Sequence, residues 1–238
     1  MNSNQLSKRL ETVASFIRPA KTFADIGSDH AYLPCYAVKK GIVTRAVAGE
    51  VVEGPFQSAK RQVASVGLSA HIDVRKGSGL AVLKAGEVEC ITIAGMGGPL
   101  IASILKEGAD KLSGVKKLVL QPNIAAHSVR TWLNSNGWII EDEAILEEDG
   151  QLYEVISSVL GAGKKLTEKE LYFGPYLMNS QNEAFRLKWQ RELTQIDQVL
   201  TQLSSAKDSE GAARKKQEII KKRQWIKDVM NDENTERS

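Results

Sequence analysis

Two acids and a glycine in close succession, Asp25-Ile-Gly27-Ser28-Asp29-His30, end a short apolar run that begins at Thr22. A strand that closes this way and restarts as a helix leaves backbone N–H groups at the helix N-terminus, where a polar ligand can sit. Counted from Gly27, the dinucleotide fingerprint asks for glycine at 29 and 32, and the chain has Asp29 and Tyr32. A diphosphate would meet the Asp29 carboxylate. The loop therefore points to a ligand with positive charge or a hydroxylated sugar, and away from a nicotinamide dinucleotide. Asp-x-Gly after a strand is also an ordinary tight turn, so the segment alone leaves both roles open.

Four further clusters end apolar runs. Glu50 closes Ala46–Glu50, 23 residues after Gly27. An acid near that spacing accepts hydrogen bonds from ribose hydroxyls in nucleotide-type folds; its competing role is an ion pair with Lys60 or Arg61. Gly77-Ser78-Gly79 brings backbone and one hydroxyl close enough to hold an adenine, or else forms a flexible turn. Ala94-Gly95-Met96-Gly97-Gly98 lets two substrates approach the main chain closely, with Met96 either lining the pocket or packing in the core. Gln121-Pro122-Asn123 sets two amides at the cleft mouth. A carboxamide pairs with both a donor and an acceptor on an adenine edge, so Asn123 is a candidate reader of a base, with capping of the next helix as the alternative. Pro122 is expected to stop the strand ladder.

Periodicity supplies the elements that hold these residues. A helix is predicted over Asn4–Phe16, and strands at Thr22–Ile26, Ala46–Glu50, Ile72–Arg75, Cys90–Ala94 and Lys117–Gln121, with helices at Gly54–Val66, Leu80–Lys84 and Pro99–Glu107. Apolar strands alternating with helices make a parallel sheet covered on both faces. After a helix at Ser128–Asn136, Trp138–Ile145 and Tyr153–Leu160 flank an acidic turn and read as a hairpin, for seven strands in all. Gly161-Ala-Gly163 marks the expected end of this domain, residues 1–163. Residues 164–238 read as an antiparallel helical hairpin, a coiled coil: Leu187, Leu193, Ile196, Leu200 and Leu203 form one stripe, and Ala212, Ile219, Ile226 and Met230 the other, with a turn over Ser204–Gly211 and a frayed end after Asn231.

Composition narrows the function classes. The net charge is +3, and the whole excess lies after Gly163, a sign of a polyanionic partner. Cys35 and Cys90 stand alone in apolar surroundings, and His30, His71 and His127 are scattered, so neither a disulfide scaffold nor a metal site is expected. No apolar run has the length of a membrane span. A cytoplasmic monomer is expected. No nucleophile elbow, P-loop or Cys/His pairing appears, which leaves covalent catalysis without an agent.

Together these residues resemble a class I S-adenosylmethionine-dependent methyltransferase, whose seven-stranded sheet ends in an antiparallel hairpin and whose first strand carries an acid and a glycine. More narrowly, Leu6-Ser-Lys-Arg-Leu10, Asp25–His30, Ile93–Gly98 and Gln121-Pro-Asn123 are similar to the bacterial tRNA (adenine-22-N1)-methyltransferase family along the whole chain. The resemblance implies methyl transfer from S-adenosyl-L-methionine to N1 of adenine 22 in tRNA. It places Asp25, Gly27, Ser28, Asp29 and His30 at the methionine part of the cofactor, Glu50 at the ribose, Gly77 and Ser78 at the adenine, and Ala94, Gly95 and Met96 at the sulfonium. Adenine N1 carries an unprotonated lone pair at neutral pH, so alignment supplies most of the rate. Asn123, with Gln121 beside it, is expected to orient the target adenine, and Asp29 to stabilise cationic character at the cofactor. Tyr32 or Trp132 is expected to stack on an extruded base. Lys215, Lys216, Lys221, Lys222 and Arg223 either contact tRNA phosphates or form a solvated face. A methyltransferase acting on another substrate, and an RNA-binding adaptor on the same fold, are the competing functions; the basic extension disfavours the first, and Glu50 with the Gly95–Gly98 edge disfavours the second.

Overall fold

The computed structural model describes residues 5–204 and 210–231. The chain divides into two compact units, Met1–Tyr176 and Leu177–Ser238. In chain order the elements are α1 (Lys8–Ile17), β1 (Thr22–Ile26), α2 (Tyr32–Lys39), β2 (Arg45–Glu50), α3 (Glu53–Ser65), β3 (Ile72–Lys76), β4 (Cys90–Gly97), α4 (Gly98–Glu107), β5 (Lys117–Ile124), α5 (Ala126–Ser135), β6 (Trp138–Glu148), β7 (Gln151–Leu160), α6 (Glu168–Phe173), α7 (Pro175–Ser180), α8 (Glu183–Ser204) and α9 (Glu210–Asn231). The helix predicted at Leu80–Lys84 is a single 3-10 turn over Gly79–Val82, and α1 starts at Lys8 because Ser7 caps it, accepting from the Leu10 N–H.

All seven strands form one sheet in the order β3-β2-β1-β4-β5-β7-β6. The first five are parallel, and β7 lies antiparallel between β5 and β6. Alternation along each strand sends side chains to two buried layers. Ala24, Ile26, Ile91, Ile93, Leu118 and Leu120 join Ile101, Leu105, Val129 and Leu133 on the face covered by α4 and α5. Phe23, Cys90 and Val119 join Val13, Ile17, Leu33, Ala59 and Val63 under α1, α2 and α3. Strand order reverses at β1, whose neighbours β2 and β4 lead off in opposite directions. That reversal opens a crevice at the C-terminal ends of the strands.

The ladder does not stop at Pro122. Strand β5 continues to Ile124, with Met96 opposite Pro122 and Gly97 opposite Ile124 across two register shifts. Proline has no N–H to give, so the pairing is broken and resumed around a bulge at Gly95, whose φ of +82° suits glycine.

The first unit also runs beyond the Gly161–Gly163 break. Arg130 on α5 is wholly buried; its Nε donates to Glu143 Oε1 over 2.6 Å and its Nη2 to Glu154. Glu143 also accepts from the Tyr176 N–H at 3.0 Å. Gly174 packs so close that a Cβ there would lie 2.6 Å from both the Arg130 guanidinium and the Glu143 carboxylate. This trio fastens the segment around α6 to the β6–β7 hairpin.

In the second unit, Arg223 Nε on α9 pairs with Asp197 Oδ1 on α8 at 2.6 Å, and Gln181 Nε2, just before α8, donates to the Val229 carbonyl near the end of α9. The start of α8 thus meets the end of α9, an antiparallel arrangement. The connecting turn expected over Ser204–Gly211 falls largely outside the described residues, as does the end beyond Asn231. Ile196 and Ile226 are buried as expected, whereas Leu187 is exposed and the buried positions near it are Phe185 and Trp189.

Candidate active site

Asp25 is the fixed point of the crevice. On β1 it lies level with Ala48 and Thr92, and it accepts from Ser28 Oγ at 2.6 Å and Thr92 Oγ1 at 2.7 Å. Burial lifts its carboxyl to about 6 despite those two donors. The turn beyond it is tightly wound: Gly27, Asp29 and Ala31 all have positive φ, between 51° and 73°. Gly27 and Ser28 N–H groups both donate to the Gly49 carbonyl, and the Asp29 N–H donates to the Glu50 carboxylate. Glu50 is therefore not paired with Lys60, which lies over the Phe56 ring, or with Arg61, which donates to Ser58. Burial raises the Glu50 pKa.

Two hollows open along this turn. The first, about 250 Å3, is lined by Arg9, Asp25, Ser28, Asp29, Tyr32 and Gly95 among others. The second, about 210 Å3, is lined by Gly77, Ser78, Met96, Val51, Leu100 and Ile104 among others. Gly27 lines both. A Cβ at Gly27 would sit 2.3 Å from the Met96 methyl, so a side chain there would block the junction. Met96 lines the second hollow and also packs against the core. A larger hollow of about 410 Å3 lies at the opposite sheet edge, near Thr22, Arg45 and Arg75, and none of the predicted site residues lines it.

The bulge at Gly95 is held by side chains in place of the ladder. Gln121 Oε1 accepts from the Gly95 N–H at 3.0 Å, Asn123 Nδ2 donates to the Gly95 carbonyl at 2.8 Å, and Gln121 Nε2 donates to Asn123 Oδ1 at 3.1 Å. Both polar groups of a backbone that Pro122 cannot serve are satisfied this way. Asn123 does not cap α5, whose N-cap position is Ala125 without any side-chain cap. Its amide keeps one donor hydrogen and one acceptor lone pair beyond these bonds.

Arg9 is the residue that sequence reasoning missed. Its Nη1 donates to Gln121 Oε1, and its guanidinium lies 5.3 Å from the Tyr153 ring centre. Glu148 on the hairpin accepts from the Lys8 N–H at 2.6 Å and the Arg9 N–H at 3.3 Å, which fixes the helix start that aims it. The available signal was its place within the stripe Leu6, Leu10 and Val13, where an arginine needs a polar partner. Of the other predicted residues, His30 stacks on Tyr32 with ring centres 5.3 Å apart, and its Nε2 lies 3.7 Å from Asp29 Oδ1. Ala94 lines the first hollow. Trp132 packs on the core under α5 and lines neither hollow. Lys215, Lys216, Lys221, Lys222 and Arg223 all lie on α9 in the second unit; Lys221 sits over the Trp225 ring, and Arg223 is committed to Asp197.

Residues 23–228 match the family model described as tRNA (adenine(22)-N(1))-methyltransferase. The tRNA (adenine(22)-N(1))-methyltransferase of Bacillus subtilis is 48% identical over 237 residues, covering 97% of this chain and 99% of the relative. The crystal structure of the B. subtilis M1A22 tRNA methyltransferase TrmK superposes with a TM-score of 0.92 at 46% identity, covering 96% of this chain and all of that one. A Streptococcus pneumoniae protein solved in complex with S-adenosyl-L-methionine superposes at 0.86 with 42% identity, covering 95% of this chain and all of its own. With a family model spanning most of its length and a relative almost half identical from end to end, the chain belongs to the tRNA (adenine(22)-N(1))-methyltransferase family.

Proposed function

We propose that this protein transfers a methyl group from S-adenosyl-L-methionine to N1 of adenine 22 in tRNA. The observation that carries the assignment is the pair of hollows joined at Gly27: one bears opposite charges, Arg9 against Asp25 and Asp29, and the other is lined mostly by glycine and apolar side chains, with Ser78, Ser103 and Glu107 as its polar members. That division fits the cofactor, which has a zwitterionic amino-acid end and a flat adenosine end. When bound, S-adenosyl-L-methionine supplies an electrophilic methyl group on a sulfonium.

Arg9 holds the cofactor carboxylate, helped by the Tyr32 and Leu33 N–H groups at the uncapped start of α2. Asp29 faces the ammonium. Glu50, steadied by the Asp29 N–H, accepts from the ribose hydroxyls, while Gly77 and Ser78 leave room for the adenine. The bulge staple sets Gly95 and Asn123 on the side from which a target base enters. Asn123 orients that base with its remaining donor and acceptor, and Tyr32, backed by His30, offers a ring to stack on. Asp25 and Asp29 line the first hollow, and the Gln121 and Asn123 amides hold Gly95 at its edge. Adenine N1 brings its own lone pair, so rate comes from alignment of nucleophile, methyl and leaving sulfur. The basic face of α9 contacts tRNA phosphates. The isolated, buried cysteines support a reducing cytoplasm. Labelled methyl transfer to unmodified tRNA tests the assignment. Incorporation should vanish when the target adenine is replaced, and equal labelling of both transcripts would refute it.

A further inference from the structure

Ile124 is the most exposed large apolar side chain among the described residues, at 70%, and it directly follows Asn123 at the C-terminal end of β5. It is not alone on this edge. Val51 and Val52 at the end of β2, and Leu100 at the start of α4, are 53% to 59% exposed. Val51 and Leu100 line the second hollow, so the cleft has an apolar rim.

The support under Ile124 is rigid. A Cβ on Gly97 would lie 3.7 Å from Ile124 Cγ1, and one on Gly98 only 2.2 Å from the Ala125 carbonyl oxygen, so backbone packs on backbone here. Ala125 turns the chain through φ +54°, and Asn123 is tied to Gly95 on the other side. Ile124 is thus held outward, next to the amide that receives the target base.

N1 lies on the pairing edge of adenine, so a base in a pair must leave its stack before it can react, and the gap it leaves needs filling. We propose that Ile124 is an apolar wedge that enters the RNA stack at the place vacated by the target adenine. The proposal rests on the assignment of adenine N1 as the acceptor. Its occupant is the base neighbouring the target, whose apolar face matches a branched aliphatic side chain, as in other proteins that push such groups between base steps.

The test uses the full chain and two transcripts, one with the target adenine free to pair and one in which the opposing base is changed so that no pair forms. Ile124→Ser should lower kcat/KM on the pairing transcript by about tenfold or more, and by only about threefold or less on the mismatched one. Ile124→Leu should restore most of the loss. With 2-aminopurine at the target position, fluorescence should rise on binding wild type and rise less with Ile124→Ser, at unchanged S-adenosylmethionine affinity. Equal effects on both transcripts, or an unchanged fluorescence response, would overturn the wedge while leaving the methyl-transfer assignment intact. Wild type failing on both transcripts would instead overturn the assignment, and the wedge with it.

Discussion

Asn123 donates its side-chain N–H to the carbonyl of Gly95, 28 residues earlier in the chain, and so holds the bulge at the catalytic edge by a bond that no ladder supplies. Its exposed position leaves one donor hydrogen and one acceptor lone pair open at the crevice. On the proposed role of that amide at the target base, Asn123→Ala should lower the turnover of tRNA by about a hundredfold or more while S-adenosylmethionine affinity changes little. Gln121→Ala should differ, since Gln121 also accepts from Arg9. Both turnover and cofactor affinity should fall. Calorimetric titration with the cofactor, beside methylation kinetics, separates the two; the same pattern for both variants would deny Asn123 a role at the base.

Arg9 gives a prediction at the other end of the cleft. A charge-assisted hydrogen bond to a carboxylate contributes about 1.5–3 kcal/mol, so Arg9→Ala should weaken cofactor binding by about ten- to a hundredfold. Lysine should restore only part of it, because it lacks the planar fork that can serve Gln121 and a carboxylate together. Cofactor affinity equal to wild type in both variants would remove Arg9 from the binding site.

Asp25 predicts a dependence on pH. Its carboxyl titrates at about 6 in the folded chain, against an ordinary value of 3.8. Between those values the native state holds more protons than the unfolded state, so this group's contribution to stability is present at low pH and is lost as pH rises through about 6. Asp25→Asn removes that penalty. The unfolding free energy of the variant minus that of wild type should grow by up to about 3 kcal/mol between about pH 4 and pH 7. Urea denaturation at a series of pH values measures it, and a flat difference would mean that the carboxyl is not held out of water.

The basic face of α9 is tested by salt. Replacing Lys215, Lys216, Lys221 and Lys222 with glutamine should weaken tRNA binding and reduce the slope of log affinity against log salt by about 0.7–0.9 for each phosphate no longer neutralised. Arg223→Gln should change that slope least, since its guanidinium is committed to Asp197. An unchanged slope in the fourfold variant would assign these lysines to a solvated helix face.

The parallel sheet was readable because its strands are buried on both sides: Thr22–Ile26 and Cys90–Ala94 are mostly apolar, and Asp25, next to last in β1, is the one charged residue in either. The Asp25–His30 turn and Glu50 were readable because their types conflict with their surroundings. What escaped depends on partners distant in sequence. Pro122 looked like a stop, yet β5 passes it because Gln121 and Asn123 satisfy the bulge on β4. Arg9 looked like one more helix residue, since nothing nearby announces Gln121 or Tyr153. The reach of the first unit to Tyr176 depends on Arg130, Glu143 and Glu154, which lie on three different elements.

That buried trio also limits how the sequence can drift. Losing Arg130 strands two buried carboxylates without their cation, at a cost of about 3–5 kcal/mol, whereas losing one glutamate leaves a one-to-one pair and replacing all three by well-packed apolar residues can be neutral. A path of change therefore cannot begin at Arg130; it begins at an acid or exchanges all three together. Gly174 narrows the route further, because its φ of +95° suits glycine and a Cβ there would press on both the guanidinium and the Glu143 carboxylate. Arg130 is thus the keystone of the joint between the β6–β7 hairpin and the segment around α6, and its loss costs more than the loss of either acid.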